Sequence, residues 1–410
     1  MTVLKSTVWL MSGYVIRQAA QVVTFILLAR LIGAEGFGMY AAALAAATML
    51  SPFLDLGGYS LVVREIENGE DVPVAVGRAL TMSFSVAVPV LAIFIVFKLL
   101  LLGAVPWTLA LCVFFAEAIA NRVISISSGV HVAKGLVKRN ALIESLTGIT
   151  RLILVCFLSV MHGDVVTWGV IYFVQAAVVA VLILLWISRS WGRIMFRLPK
   201  PYRPRLIEGV HFAFGNAALT STMEVDKLLI TRLVGLPEAG IYAAAQRIVI
   251  LTNAFLFSFL TSVYPKFFEF GKHGHIHSKR FALKLLPVTL LYGAMVFVAL
   301  YFFAPYLPRI IGSDFENSVV SLQFLSFLAV INAVHYPLAD ALTGAGLQSK
   351  RTLLYLLALI VSVMVNLIFI PQYGWFVAVY ANLLSQIMLS ICLALYTDRR
   401  AFSSEYPGGQ

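Results

Sequence analysis

The chain has 410 residues, of which 60% are hydrophobic and 12% charged, and its mean hydropathy is +0.92. Soluble domains do not carry that composition. It excludes a water-soluble enzyme or a nucleic-acid-binding protein despite the net charge of +11, and leaves a polytopic membrane protein.

Apolar stretches of about twenty residues, the length a helix needs to cross the hydrocarbon core, recur along the whole sequence. In chain order they cover 9–32, 37–60, 76–100, 106–129, 141–161, 166–188, 207–234, 239–264, 281–304, 315–344, 353–371 and 375–397. An all-α protein with twelve transmembrane helices, six in each half, is therefore expected. The first stretch carries Arg17 and Gln18 and has no small-residue cleavage site, so it reads as a spanning helix and not a signal peptide. Pro52, Pro89, Pro287 and Pro337 fall inside the second, third, ninth and tenth stretches, where each favours a bend.

A polar connector at 188–205 joins the halves, and a second polar segment at 266–280 holds the run GKHGHIHSKR. The expected organisation is an N-lobe over 1–190, a cytoplasmic linker over 191–206, a C-lobe over 207–400 and a cytoplasmic tail over 401–410. Neither connector is long enough for a soluble domain, and no glycine loop with its lysine is present to bind ATP. His273, His275 and His277 alternate in a lysine- and glycine-rich loop that does not supply four metal ligands, and Cys112, Cys156 and Cys392 lie singly within apolar stretches. No metal or other cofactor is expected.

Fourteen residues occur twice. The run RLIGAEGFGMYAAA at 30–43 returns as RLVGLPEAGIYAAA at 232–245, identical at eight positions, and the same shift of 202 places Gly13 on Gly215 and Arg64 on Lys266. A second register, shifted by 211, places Gly135, Leu136, Gly163 and Gln175 on Gly346, Leu347, Gly374 and Gln386. The chain is a duplicated unit. Same-direction repeats in a membrane protein imply two bundles about an axis along the membrane normal, with a substrate path between them.

Basic residues alternate from connector to connector. Arg64 and Arg78, then Lys134, Lys138 and Arg139, the basic run from Arg189 to Arg205, the cluster from Lys266 to Lys284, Lys350 with Arg351, and Arg399 with Arg400 share one side with Lys5. Only Arg30, Lys98, Arg232 and Arg309 fall at the opposite ends. The positive-inside rule then puts both termini in the cytoplasm. Trp9, Trp107, Trp168, Trp186, Trp191 and Trp375 sit near span ends, as interfacial anchors do.

Five bases remain inside the spans: Arg17, Arg122, Arg151, Lys227 and Arg247. A charge at mid-bilayer costs about 3 kcal/mol on insertion scales and faces a wet cavity or a partner. Acids at comparable depth are Glu117, Glu224 and Asp226, which leaves two bases over; Asp55 and Asp340 read as hydrated carboxylates at cytoplasmic helix ends. Internal pairing, such as Glu224 with Lys227 one turn on, accounts for part of the set. Surplus guanidinium groups in a low-dielectric cavity suit an anion, and arginine matches phosphate oxygens in geometry. An acidic or phosphorylated substrate is the expectation.

LARLIGAEGFGMYAAA, followed by Asp55-Leu56-Gly57-Gly58 and Val62-Val63-Arg64, resembles the opening of the Wzx-like oligosaccharide flippases of the polysaccharide biosynthesis group. Asp226, the repeated RLVGLPEAGIYAAA and the GAGLQSKR segment at 344–351 are similar to landmarks in the second half of that family. The likeness runs over nearly the whole chain. It implies the fold shared with multidrug and toxin extruders, two six-helix lobes around a central cavity, within the exporter superfamily of drugs, oligosaccharidyl-lipids and polysaccharides. It also implies a substrate, an undecaprenyl-pyrophosphate-linked sugar repeat unit moved from the cytoplasmic to the periplasmic leaflet of a bacterial inner membrane. A polysaccharide polymerase would then be a partner. Arg17, Arg122, Arg151, Lys227 and Arg247 are the candidates to meet the pyrophosphate. Asp226 or Glu117 is the acid that would change charge if a proton or sodium gradient drives the cycle.

Other readings fit less well. A drug exporter of the same fold would concentrate acids in its cavity, and a lipid II flippase resembles chains of fourteen helices. A major-facilitator transporter would carry a Gly- and Arg-rich loop where REIENGEDVPVAVGR stands at 64–78. A membrane glycosyltransferase would need a sizeable polar catalytic loop, and a scaffold has no use for a basic interior.

Overall fold

The computed structural model describes residues 3–198 and 202–396, with the side chains of 3–16, 119, 120 and 137 outside that description. The side chains of Lys5 and Trp9 thus lie outside the description, and Lys200, Arg399, Arg400 and the expected tail at 401–410 lie outside the described residues. Among the described residues every regular element is helical. The first half comprises α1 (Val3–Asp55), α2 (Gly58–Glu67), α3 (Val72–Leu101), α4 (Trp107–Phe115), a π-helical turn (Ala116–Ala120), α5 (Asn121–Ala133), α6 (Val137–Val160) and α7 (Val165–Trp191). The second comprises α8 (Tyr202–Leu233), α9 (Leu236–Gly271), α10 (His275–Phe303), the short α11 (Leu307–Ile311), α12 (Ser318–Leu325), α13 (Phe327–Gly344), α14 (Gln348–Tyr373) and α15 (Val377–Leu395).

Ten helical stretches among the described residues are long and apolar enough to cross a membrane. Two differences separate that number from the expected twelve. The first two spans run on as one helical stretch, interrupted only where Gly33 leaves helical geometry at φ 67°. The seventh, α8, forms a helix of 32 residues but is too polar to be counted, because Arg203, Arg205, Glu208, Glu224, Asp226 and Lys227 all lie on it. The helix-interior prolines Pro52, Pro89, Pro287 and Pro337 sit where the apolar pattern put them.

The chain packs as two compact units, one of Met1–Ala243 with Arg309–Phe315 and one of Ala244–Pro308 with Glu316–Gln410. Within the first, the repeated run makes a close helix crossing. Gly33 takes a left-handed conformation that a side chain would strain, and its equivalent in the repeat, Gly235, lies in the break between α8 and α9. Five residues on, a Cβ at Gly38 would overlap the carbonyl oxygen of Leu236, and a Cβ at Gly240 would overlap that of Ala34. Positions 34 and 38 are the repeat equivalents of 236 and 240, so the contact is reciprocal: each copy's glycine receives the other's carbonyl. Such self-complementary exchange is the mark of a two-fold contact, and small residues that let backbones approach are the usual means in membranes. Ala41, Ala42, Ala45 and Ala46 continue the buried small-residue face.

After α7 the chain lies along the start of α3. The Met195 amide donates to the Pro73 carbonyl at 3.2 Å, and Gly77 leaves room for the Met195 carbonyl. Lys98, at the end of its span opposite the basic connectors, is buried and caps α3, with Nζ on the Leu102 carbonyl at 2.7 Å and over the Trp107 ring at 4.9 Å. At the start of α7, Asp164 accepts from the Thr167 amide at 2.8 Å and from the Thr167 hydroxyl at 2.6 Å. Those two donors hold its carboxyl below the usual range. The cap's contribution is therefore complete above the ordinary carboxylate pKa and is lost as pH falls through the lowered one. Asp164→Ala is expected to cost about 1 kcal/mol locally, read as faster amide exchange at Val165 to Thr167 with α7 otherwise intact.

In the second unit α10 packs on α13 and α14 on α15. Thr289 donates to the Ala333 carbonyl at 2.8 Å, and Gly271 and Gly344 allow the ends of α9 and α13 to meet backbone to backbone.

Candidate functional site

Arg122 occupies the first turn of α5 and is buried to about 5% exposure of its side chain. Its Nε donates to the Ser83 hydroxyl at 2.8 Å, and its Nη1 pairs with Asp55 at the end of α1. Gly58 leaves the space its guanidinium fills, since any Cβ there would overlap it. The side chain also lines a cavity of about 160 Å³ whose other walls include Leu80, Phe84, Leu91 and Phe114. An apolar pocket thus ends on an ion pair.

Arg17 pairs with Glu144 of α6 at 3.4 Å, where Gly148 brings α6 against the backbone of α1, and both side chains are partly exposed. Lys227 pairs with Glu224 at 2.5 Å, one turn back on α8 as the spacing foresaw. Asp226, fully buried, accepts a hydrogen bond from the Tyr242 hydroxyl at 2.8 Å.

A second polar cluster surrounds Glu117 on the π-helical turn, a distortion that often accompanies function. Glu117 accepts from the Tyr172 hydroxyl and the Asn121 amide. Arg151 lies over the Tyr172 ring at 4.5 Å, within electrostatic reach of Glu117 and Tyr40. Tyr40 packs edge-on to Trp168 and Tyr172, each with centroids 6.3 Å away. Trp168 is buried at 1% exposure in this cluster, where sequence reading made it an interfacial anchor.

Arg247 of α9 belongs to the second unit. It is half-buried, and no hydrogen bond or ion pair of its side chain occurs among the described residues. Gln246 and Asn253 on the same helix are buried, and Asn253 accepts from Asn332 at 3.4 Å.

The surplus of two bases counted from the sequence is not present. Asp55 is the partner of Arg122, not a hydrated helix end, and Glu144, which the count passed over, is the partner of Arg17. Five bases thus stand with five acids. Arg151 and Arg247 are the two without a carboxylate in ion-pair range among the described residues. No group of three or more potential metal ligands occurs among them either.

Helices with this arrangement have counterparts among solved transporters. An inward-facing multidrug resistance MATE family transporter of the MOP superfamily superposes with a TM-score of 0.72 at 13% identity, over 95% of this chain and 96% of that one. The lipid II flippase MurJ in an inward closed conformation gives 0.74 at 14% identity, over 95% of this chain and 86% of that one. A MOP superfamily transporter from Pyrococcus furiosus, described as having a binding pocket of reverse polarity, gives 0.59 at 14% identity over 96% and 93%. At such identities the likeness shows the fold, which is the MATE-like fold expected. No curated protein matches the sequence significantly. Residues 3–270, about two thirds of the sequence and including both copies of the fourteen-residue run, most of the buried ion pairs and Arg247, match the family described as polysaccharide biosynthesis protein, and the chain belongs to that family.

Proposed function

We propose that this protein is a flippase that moves undecaprenyl-pyrophosphate-linked oligosaccharide repeat units from the cytoplasmic to the periplasmic leaflet of a bacterial inner membrane. The observation that carries the reading is the family match over residues 3–270, joined to a fold that flippases and exporters of the MOP superfamily share. In this reading both termini are cytoplasmic, residues 1–190 and 207–400 form two lobes joined by a linker at 191–206, and rocking of the lobes alternates access. A polysaccharide polymerase would receive the product.

The pyrophosphate requires cations that are not already neutralised. Arg247 and Arg151 fit that requirement best, because neither has a carboxylate in ion-pair range among the described residues. Arg17 stands with Glu144 in a half-exposed pair that a phosphate could displace, whereas Arg122 and Lys227 would act from within buried pairs. Glu117 and Asp226, each held by a tyrosine hydroxyl, are the acids proposed to take part in proton or sodium coupling.

Deleting the gene is expected to abolish one surface polysaccharide while its lipid-linked repeat unit accumulates in the cytoplasmic leaflet. Profiling surface glycan and lipid-linked intermediates in the same cells checks this. Unchanged glycans with hypersensitivity to cationic drugs would overturn it in favour of an exporter.

A further inference from the structure

The second unit holds a buried polar lane apart from the residues assigned to the proposed cycle. His335, Tyr336, Asp340 and Thr343 line α13 at helical spacings, and Arg351 and Tyr355 come from the facing α14. Arg351 Nη1 donates to the Thr343 hydroxyl at 2.7 Å and stands 3.9 Å from Asp340 Oδ1, at the limit of an ion pair. Its guanidinium lies 5.6 Å from the centre of the Tyr355 ring. The Tyr355 hydroxyl is 2.6 Å from His335 Nε2. From Thr343 to His335 the lane spans eight residues of α13, about 12 Å at the α-helical rise.

Its two ends differ. Asp340 and Arg351 keep 16% and 21% of their side chains exposed, whereas His335 and Tyr355 are buried to 0% and 1%. At the deep end His335 Nδ1 and the Tyr336 hydroxyl are buried and have no hydrogen-bond partner among the described residues. Their rings lie 4.5 Å apart. Unsatisfied polar atoms cost several kcal/mol each in a membrane interior, so two adjacent ones mark a place built to receive something small and polar. With the proton on Nε2, facing the Tyr355 hydroxyl, Nδ1 is free to accept one; with it on Nδ1, Nε2 accepts from Tyr355.

We propose that this lane holds a proton-binding site, with Asp340 as the carboxylate that takes a proton from water at the accessible end. Arg351, which has no acceptor and keeps its charge, passes no proton on and sets the electrostatics beside Asp340, while Tyr355 and His335 form a separate hydrogen-bonded pair deeper in the lane. A metal cation is a poor alternative ligand, because the Arg351 guanidinium stands beside the Asp340 carboxylate. The other titratable groups within electrostatic reach of Asp340 or Arg351 are Tyr264 from α9, His335 and Tyr336 from α13 and Tyr355 from α14. α10 meets α13 through uncharged Thr289 and Gly293, and α12 and α15 carry no charged residue in Ser318–Leu325 and Val377–Leu395. Protonation of Asp340 neutralises the acid beside Arg351 and loosens the tie between α13 and α14. Coupling of that event to transport rests on the proposed function, but the binding of the proton does not.

The test uses the full-length protein in lipid nanodiscs and infrared difference spectra between about pH 5 and 8. A carboxylic C=O band should grow in as pH falls, be lost in Asp340→Asn and change frequency in Asp340→Glu. The glutamate variant carries the assignment where the asparagine variant does not fold. Arg351→Gln should move the band's titration to higher pH, since removal of the cation favours the neutral acid. A band unaltered in both Asp340 variants, or one whose titration ignores Arg351→Gln, overturns the proton site. If Asp340 titrates as expected while the deletion strain keeps its polysaccharide, the proton site stands and the flippase reading falls.

Discussion

Gly38→Ala and Gly240→Ala should each remove most of the folded protein from the membrane. The cause is geometric: the added methyl at either position overlaps a backbone carbonyl oxygen, of Leu236 in one case and Ala34 in the other. A flexible side chain could swing aside, but a helical carbonyl cannot move without its helix. The cost should therefore exceed the roughly 1 to 3 kcal/mol of ordinary overpacking, a large share of the stability of a typical domain. Gly103→Ala is the matched control, because nothing lies within 4 Å of the methyl it would add. Since the two contacts belong to one crossing, the double substitution should cost less than the sum of the singles: once the helices have separated for the first methyl, the second meets less resistance. Monodisperse protein recovered from equal amounts of membrane checks this. Near-normal recovery of Gly38→Ala would show that the helices can separate without loss.

That crossing was legible in the sequence as a repeat, though not as a contact. The glycines of RLIGAEGFGMYAAA and RLVGLPEAGIYAAA stand out because the same identities recur at a constant shift. Their reciprocal packing appears only once Leu236 and Ala34 are placed in space. Helix positions were legible for a similar reason: hydrocarbon thickness fixes span length, and ten helical stretches among the described residues are apolar enough to register, the first of them holding the first two expected spans. α8 registers by length alone, and its polarity reflects the ion pairs it makes, Arg205 with Glu65, Glu208 with Arg64 and Lys227 with Glu224.

The electrostatics of the interior were less legible. Lys227 and Glu224 share a helix, so their spacing announced the pair. Arg122 and Asp55, and Arg17 and Glu144, come from different helices 67 and 127 residues apart in sequence; no local pattern carries such pairings. Depth in a hydropathy profile also misplaced Asp55, because the chain turns at Leu56 and Gly57, both with positive φ, and leaves the carboxylate facing inward to Arg122. The π-helical turn beneath Glu117 had no sequence signal either, since Ala116–Ala120 reads as ordinary helix.

Arg122→Gln and Arg247→Gln should therefore fail in different ways. In Arg122→Gln the Asp55 carboxylate and the Ser83 hydroxyl lose their shared donor in a buried setting. Breaking such a pair costs roughly 3 to 5 kcal/mol, and the part exposure of Asp55 puts this case at the lower end. Folded protein should fall, and export with it in proportion. Asp55→Asn in the same chain should restore part of the protein, because the orphaned charge is then gone. Arg247→Gln leaves no acid stranded among the described residues, so folded protein should stay near normal. If Arg247 grips a pyrophosphate, loss of that charge-assisted contact, about 1.5 to 3 kcal/mol, should lower export about tenfold or more, and Arg247→Lys should recover only part because it cannot bind two oxygens in a fork. Quantifying folded membrane protein and surface polysaccharide in the same cells separates the two. Parallel loss of both in Arg247→Gln would remove Arg247 from the substrate site, and unchanged export would do the same; export lost at full protein level is the outcome the pyrophosphate contact requires.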